Sequence, residues 1–215
     1  MLRVLVLILC LLPPPGWAGA WLRDKGQGFS AATLNVNRTD AGLSHYAGTY
    51  VEYGLTTRIT LGVDAGRGVS GDSKTIAFLR RPLRAPKGNH RFAVELGLGE
   101  IAGQPVLRPG LSYGLGFDGR FGSGWLSVDT VAEWHARSGR VDVKADLTLG
   151  LSPTPKLKAM MQLQTGKSMT EPAFLRLVPS VAYRLGERWH LEAGLSHTVI
   201  GDRETGMKFG LWCDF

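Results

Sequence analysis

The residues able to do chemistry are spread along this chain and form no complete catalytic motif. Ser196-His197-Thr198 and Ser44-His45 each set a hydroxyl beside an imidazole, the raw material of a hydrolase. A serine nucleophile needs its base within hydrogen-bond reach and a third group to orient that base. Neighbours on a strand point to opposite faces, so Ser196 and His197 cannot pair directly. His190 and Glu192 share a face and could offer a metal two ligands, with no third in view. There is no glycine-rich phosphate loop, CxxC pair or GxSxG elbow. The expectation is a chain with no catalytic residues, no metal and no cofactor.

Charge at alternate positions is the stronger pattern. Asp129, Glu133, Asp142, Lys144, Asp146, Lys158, Arg176, Arg184 and Glu192 sit between apolar neighbours, as do Glu52, Arg58, Asp64, Glu95 and Lys208. The acids concentrate around 129–146 and the bases around 158–184. Adjacent strands lie about 4.8 Å apart, so opposite charges on them can pair directly. Two roles fit such a face inside a barrel. One is a neutralising network that stiffens and fills the lumen. The other is a transverse field that orients small polar solutes in a narrow aqueous pore.

The elements that must position these charges are strands. From 47 onward the apolar residues recur at every second place, and 3.6-residue periodicity is almost absent. Val141, Val143, Ala145, Leu147, Leu149 and Leu151 alternate with Asp142, Lys144, Asp146, Thr148 and Gly150. Leu126, Val128, Thr130, Ala132 and Trp134 alternate with Ser127, Asp129, Val131 and Glu133. With weaker strands at about 28–36, 74–81 and 174–186, the count is twelve, with ten as the alternative. The stretch 74–81 permits either parity. Short turns at 54–57, 118–123, 152–156 and 186–188 fall on the side of both termini, and 82–89 is a long connection on that same side. Glycines on the charged face, Gly62, Gly114, Gly150 and Gly210 among them, fit relief of crowding better than ligand binding.

Composition narrows the class. The chain has 215 residues, 29 of them glycine, and 44% of residues are hydrophobic, so it is not a disordered polymer. Two cysteines exclude a disulfide scaffold. No stretch after the N-terminus has the ~18 consecutive apolar residues of a spanning helix. Residues 1–20 read as a secretory signal peptide. Arg3 supplies the positive start, Val4 to Leu12 the apolar core, and Ala18-Gly19-Ala20 the small-residue cleavage site. The mature chain, 21–215, then forms one domain and keeps 24 Lys and Arg against 18 Asp and Glu. No basic run is interleaved with aromatics, so nucleic acid is not an expected partner. Arg137, Arg140 and Arg203 suit contact with anionic lipopolysaccharide.

Alternation alone does not say whether the apolar face points in or out. A soluble lipocalin-like barrel, binding a ligand in the periplasm, would turn it inward. Three features favour outward. The apolar positions carry no Asp, Glu, Lys or Arg, as lipid requires. A twelve-stranded lumen is too wide for Leu, Ala and Val to fill. Tyr53, Phe117, Tyr183, Trp189 and Phe215 gather at one rim and Trp134 at the other, like an interfacial girdle.

The last strand carries a resemblance. Met207, Phe209, Leu211, Cys213 and the C-terminal Phe215 resemble the closing strand of bacterial outer-membrane β-barrel proteins. The resemblance implies a closed, antiparallel, up-and-down transmembrane β-barrel in the outer membrane of a Gram-negative bacterium, surrounded by lipid and lipopolysaccharide. It implies that Phe209, Leu211 and Phe215 serve as the signal read by the barrel-assembly machinery. Cys213 departs from the aromatic often found two places before the end. The function this points to is structural, or a narrow passive pore for small polar solutes. A lipid-modifying hydrolase at the rim, through His197, is the alternative from a different class.

Overall fold

In the computed structural model, which describes residues 19–215 apart from 69, 70, 72, 86 and 170, the chain forms twelve antiparallel strands. They are β1 (Gly28–Thr39), β2 (Gly42–Thr56), β3 (Ile59–Gly68), β4 (Ser73–Pro82), β5 (His90–Ile101) and β6 (Gln104–Gly119). The second half comprises β7 (Gly122–His135), β8 (Val141–Thr154), β9 (Leu157–Lys167), β10 (Phe174–Leu185), β11 (Trp189–Ile200) and β12 (Thr205–Asp214). Each strand pairs with its neighbours in sequence, and β1 pairs with β12 to close the barrel. Most of the expected signal peptide lies outside the described residues.

Closure rests on an unbroken register from Phe29 opposite Asp214 to Arg38 opposite Thr205. Phe215 extends it: its N–H donates to Gly28 O at 3.0 Å, and Gly28 N–H returns the bond. A closed ladder leaves no edge of unsatisfied backbone, which is what a wall in hydrocarbon needs.

The period-two pattern maps directly onto the two faces of the wall. Leu96 is 55% exposed, Leu195 57% and Leu191 52%, whereas their lumen-side neighbours Glu95, Ser196 and Glu192 are buried. The apolar face therefore points outward, and an inward-facing apolar barrel of the lipocalin kind is excluded. The undecided strand β4 settles with Thr75, Ala77 and Leu79 outward and Ile76, Phe78 and Arg80 inward. Ile76 and Phe78 form an apolar platform inside the barrel, which is why the sequence contrast there is weak.

Several strands exceed the 9–11 residues that span a bilayer at the usual tilt, β6 reaching 16. Arg58 is a correction to the sequence reading. It lies in the exposed turn between β2 and β3 and takes no part in the lumen. Where the chain leaves β4, Leu83 N–H donates to Phe92 O at 2.9 Å, and the Arg84 guanidinium lies 4.0 Å from the Phe92 ring centre.

Candidate functional site: the charged lumen

The inner wall of β2–β6 carries a single chain of alternating charge. Lys74 meets Asp64 at 2.8 Å, Asp64 meets Arg108 at 2.6 Å, and Arg108 meets Glu95 at 2.9 Å. Arg80 then bridges Glu95, at 2.7 Å, and Glu52, and Glu52 binds Arg23 at 2.8 Å. Four cations and three carboxylates alternate, so every carboxylate has a cation on each side. Strand pleating explains the assembly: six of these residues sit on the inward parity of β2 to β6, Arg23 joins from the segment before β1, and Arg80 and Glu95 are register partners. Tyr50 completes it, its hydroxyl donating to Glu52 at 2.6 Å and accepting from Arg80 at 3.0 Å. Phe78 lies beneath, with the Arg80 and Arg108 guanidinium carbons 5.1 and 5.5 Å from its ring centre. Buried ions of this kind hold only when each is paired and hydrogen-bonded, as here.

The residues singled out from sequence are placed differently from one another. Glu133 pairs with Lys144 at 2.7 Å across β7 and β8. Asp142 meets His135 at 3.1 Å and Arg140 at 3.3 Å near the rim. Arg176 meets Glu204 of the β11–β12 connection at 2.5 Å, and Glu192 meets Lys208 at 2.8 Å. Lys158 sits over Trp125 with its ammonium 5.6 Å from the ring centre, and Arg184 donates to the Glu187 carbonyl at 2.7 Å. Asp129 and Asp146 face each other across β7 and β8, with no ion pair among the described residues. The direct pairing expected between acids of β7 and β8 and bases of β9 and β10 does not occur among the described residues. Their inward parity is as expected; their partners are on other strands or in the rim.

Arg80, Arg108 and Arg23 escaped the sequence reading. Arg80 lies in the stretch whose parity was undecided, and Arg108 sits between Pro105 and Pro109, ahead of where the β6 alternation becomes clean at Leu111. Arg23 precedes β1 altogether. Inward parity carried back from Ser112 and Gly110 reaches Arg108, and that was the available signal.

The opposite wall is softer. A cavity of about 780 Å³ is bounded by Thr33, Asn35, Gln162, Gln164 and Thr165 on that side and by Asp64, Arg80 and Arg108 on the other. Gln164 donates to Gln162 at 3.0 Å, leaving amide groups directed at the space. At the rim, Ser196 faces inward and donates to Asn37 at 2.9 Å, while His197 faces outward against Thr205. His190 and Glu192 both face the lumen, and Trp212 donates to Glu192 at 3.1 Å. Among the described residues there is no cluster of three metal-ligating side chains.

An apolar outer belt around a polar, charged lumen, closed by twelve antiparallel strands, defines a β-barrel of the outer-membrane class. By sequence, no family model and no curated protein matches the chain. By structure, it is similar to the NanC porin, with a TM-score of 0.66 at 6% identity over 84% of this chain and 98% of that one. It is also similar to the KdgM porin in complex with disordered oligogalacturonate, with a TM-score of 0.65 at 10% identity, covering 87% and 99%. The COG4313 outer membrane channel from Pseudomonas putida F1 aligns over 94% of this chain and 100% of its own, with a TM-score of 0.60 at 11% identity. The shared property is the fold.

Proposed function

We propose that the chain is exported, loses residues 1–20, and inserts 21–215 into the outer membrane of a Gram-negative bacterium as a narrow passive pore for small polar solutes. The observation that carries this is the cavity of about 780 Å³, lined by amides, hydroxyls and paired charges behind a wall that is apolar outside. Fixed charges of both signs orient dipolar solutes as they pass, and their near balance keeps selectivity by charge weak. KdgM and NanC are porins, and the KdgM structure holds oligogalacturonate, which supports a polar solute for this lumen also.

The end holding both termini faces the periplasm in this reading. Arg137, Arg140 and Arg203 then stand at the outer rim, where lipopolysaccharide phosphates lie. Phe209, Leu211 and Phe215 present the outward residues of β12 to the assembly machinery. The test is a heat-modified gel shift of the detergent-folded chain with single-channel recording in a planar bilayer. A shift with discrete conductance steps is expected. A shift without steps under any applied voltage would overturn the pore and leave a structural barrel.

A further inference from the structure

The segment before β1 turns back into the lumen at the terminal end. Its anchor is double. Gly26 N–H donates to Gly54 O and Gly54 N–H to Gln27 O, each at 2.9 Å, while Arg23 N–H donates to Thr60 Oγ1 at 3.0 Å. Above these bonds Ala20 and Trp21 are buried, packed with Trp125 and with Met160 beside them. The Trp21 indole lies on Gly114 of β6, where a Cβ would stand 2.5 Å from the ring. Only glycine leaves room for it.

Gly19 sits against Asp129: a Cβ there would stand 2.7 Å from Oδ2. Asp129 Oδ1 is sealed from solvent and accepts no hydrogen bond from the described residues. Asp146 is its register partner on β8, and neither carboxylate has an ion pair among the described residues. The nearby cations are committed elsewhere, Lys144 to Glu133, Lys208 to Glu192, and Arg80 to Glu52 and Glu95. The Ser112 and Ser127 side chains and the more distant charges of Arg80, Lys74, Lys144 and Lys208 ease the two carboxylates. Two facing carboxylates with no cation in contact are unfavourable, and more so out of water. The site lacks a cation of its own.

Export processing supplies one. Hydrolysis of the Ala20–Trp21 peptide bond by a leader peptidase adds one water across the amide, leaving a carboxylate on Ala20 and an ammonium on Trp21. Trp21 is already held by its indole, and its nitrogen lies within two residues of Gly19, at most about 7 Å of chain. We propose that the processed N-terminus is an internal ligand. The Trp21 α-ammonium binds between Asp129 and Asp146 and fixes residues 21–27 as a constriction that narrows the terminal half of the lumen without closing it. Before cleavage that nitrogen is a neutral amide, so the pairing arises only after export. This inference rests on the proposed leader cleavage.

The test uses barrel exported with its own leader and purified folded in detergent. Intact mass gives the N-terminus, and acetylation of the α-amine by a water-soluble reagent is timed in folded and urea-unfolded protein. A mature chain beginning at Trp21 is expected. Its amine should react at least roughly tenfold more slowly when folded, the size of one charge-assisted hydrogen bond. Asp129→Asn should remove most of that protection while Glu133→Gln keeps it. A different N-terminus would overturn the cleavage and the ligand together. A Trp21 terminus that reacts equally fast folded and unfolded, or equally slowly in wild type and Asp129→Asn, overturns the pairing and leaves export intact. If Asp129→Asn shows no heat-modified band, Asp146→Asn answers the same question.

Discussion

Replacing Arg80 by methionine is the sharpest perturbation of the lumen. The guanidinium touches Glu52, Glu95 at 2.7 Å and the Tyr50 hydroxyl at 3.0 Å, and the Glu52 side chain is wholly buried. Methionine fills much of the volume but leaves two carboxylates without their bridge. Breaking a buried pair in this way costs about 3–5 kcal/mol, because the remaining charge stays desolvated. The lower end applies here. Glu52 keeps Arg23 at 2.8 Å and Glu95 keeps Arg108 at 2.9 Å, so neither is stranded. A loss of about 3 kcal/mol is therefore expected. Arg176→Met is the control, since Arg176 and Glu204 are each 26% exposed in their side chains and such a pair is worth about 1 kcal/mol or less. Reversible urea unfolding in micelles, followed by tryptophan fluorescence and the heat-modified band, gives both numbers from midpoint and slope. Adding Glu52→Gln to Arg80→Met should recover about 1 kcal/mol or more if the charge itself is the problem. If Arg80→Met and Arg176→Met lie within experimental error of each other, the alternating chain does not stabilise the barrel and the reasoning fails.

The outward face gives a second expectation. Leu195→Arg, near the middle of β11, should cost about 2–4 kcal/mol and reduce the folded fraction in lipid vesicles, whereas Gln162→Arg on the lumen side should cost far less. For the closing strand, Phe215→Ala should lower the amount of barrel inserted in cells while still allowing folding in detergent, seen by comparing membrane fractions with in vitro refolding; equal loss in both would make Phe215 a stability residue only. Gly114→Val should drive Trp21 off the β6 wall. The emission of the folded protein would then shift to the red and single-channel conductance would rise, and unchanged values would mean the indole is seated elsewhere.

Period two was readable wherever the two faces of a strand differ in polarity. β8 is the clearest case, since its acids and lysine alternate with Val, Ala and Leu, and solvent or charge faces one side while lipid faces the other. β4 hid its parity because Ile76 and Phe78 are apolar on the inside as well, where they support two guanidinium groups. In β6 the alternation is clean only from Leu111, because proline at 105 and 109 interrupts the pattern on either side of Arg108. Both prolines face outward, and the β6–β7 register skips Arg108 and Pro109. A proline there removes a ladder bond without disturbing the inward side chains. Face and strand number are local properties and could be inferred. Ion-pair partners depend on how long side chains lean along the barrel axis, and period alone does not contain that information. The acids of β7 and β8 were accordingly matched to the wrong bases.

The connections at the end away from the termini are brief, from two residues between β1 and β2 to six between β9 and β10. Little protein therefore rises above that rim. If that end faces outward as proposed, lipopolysaccharide sugar chains would stand taller than any loop, and antibodies or bacteriophages seeking a peptide epitope would find few accessible residues. In that setting the barrel would be poor as a receptor or a vaccine antigen, but well suited to carry a displayed peptide grafted into one of its turns.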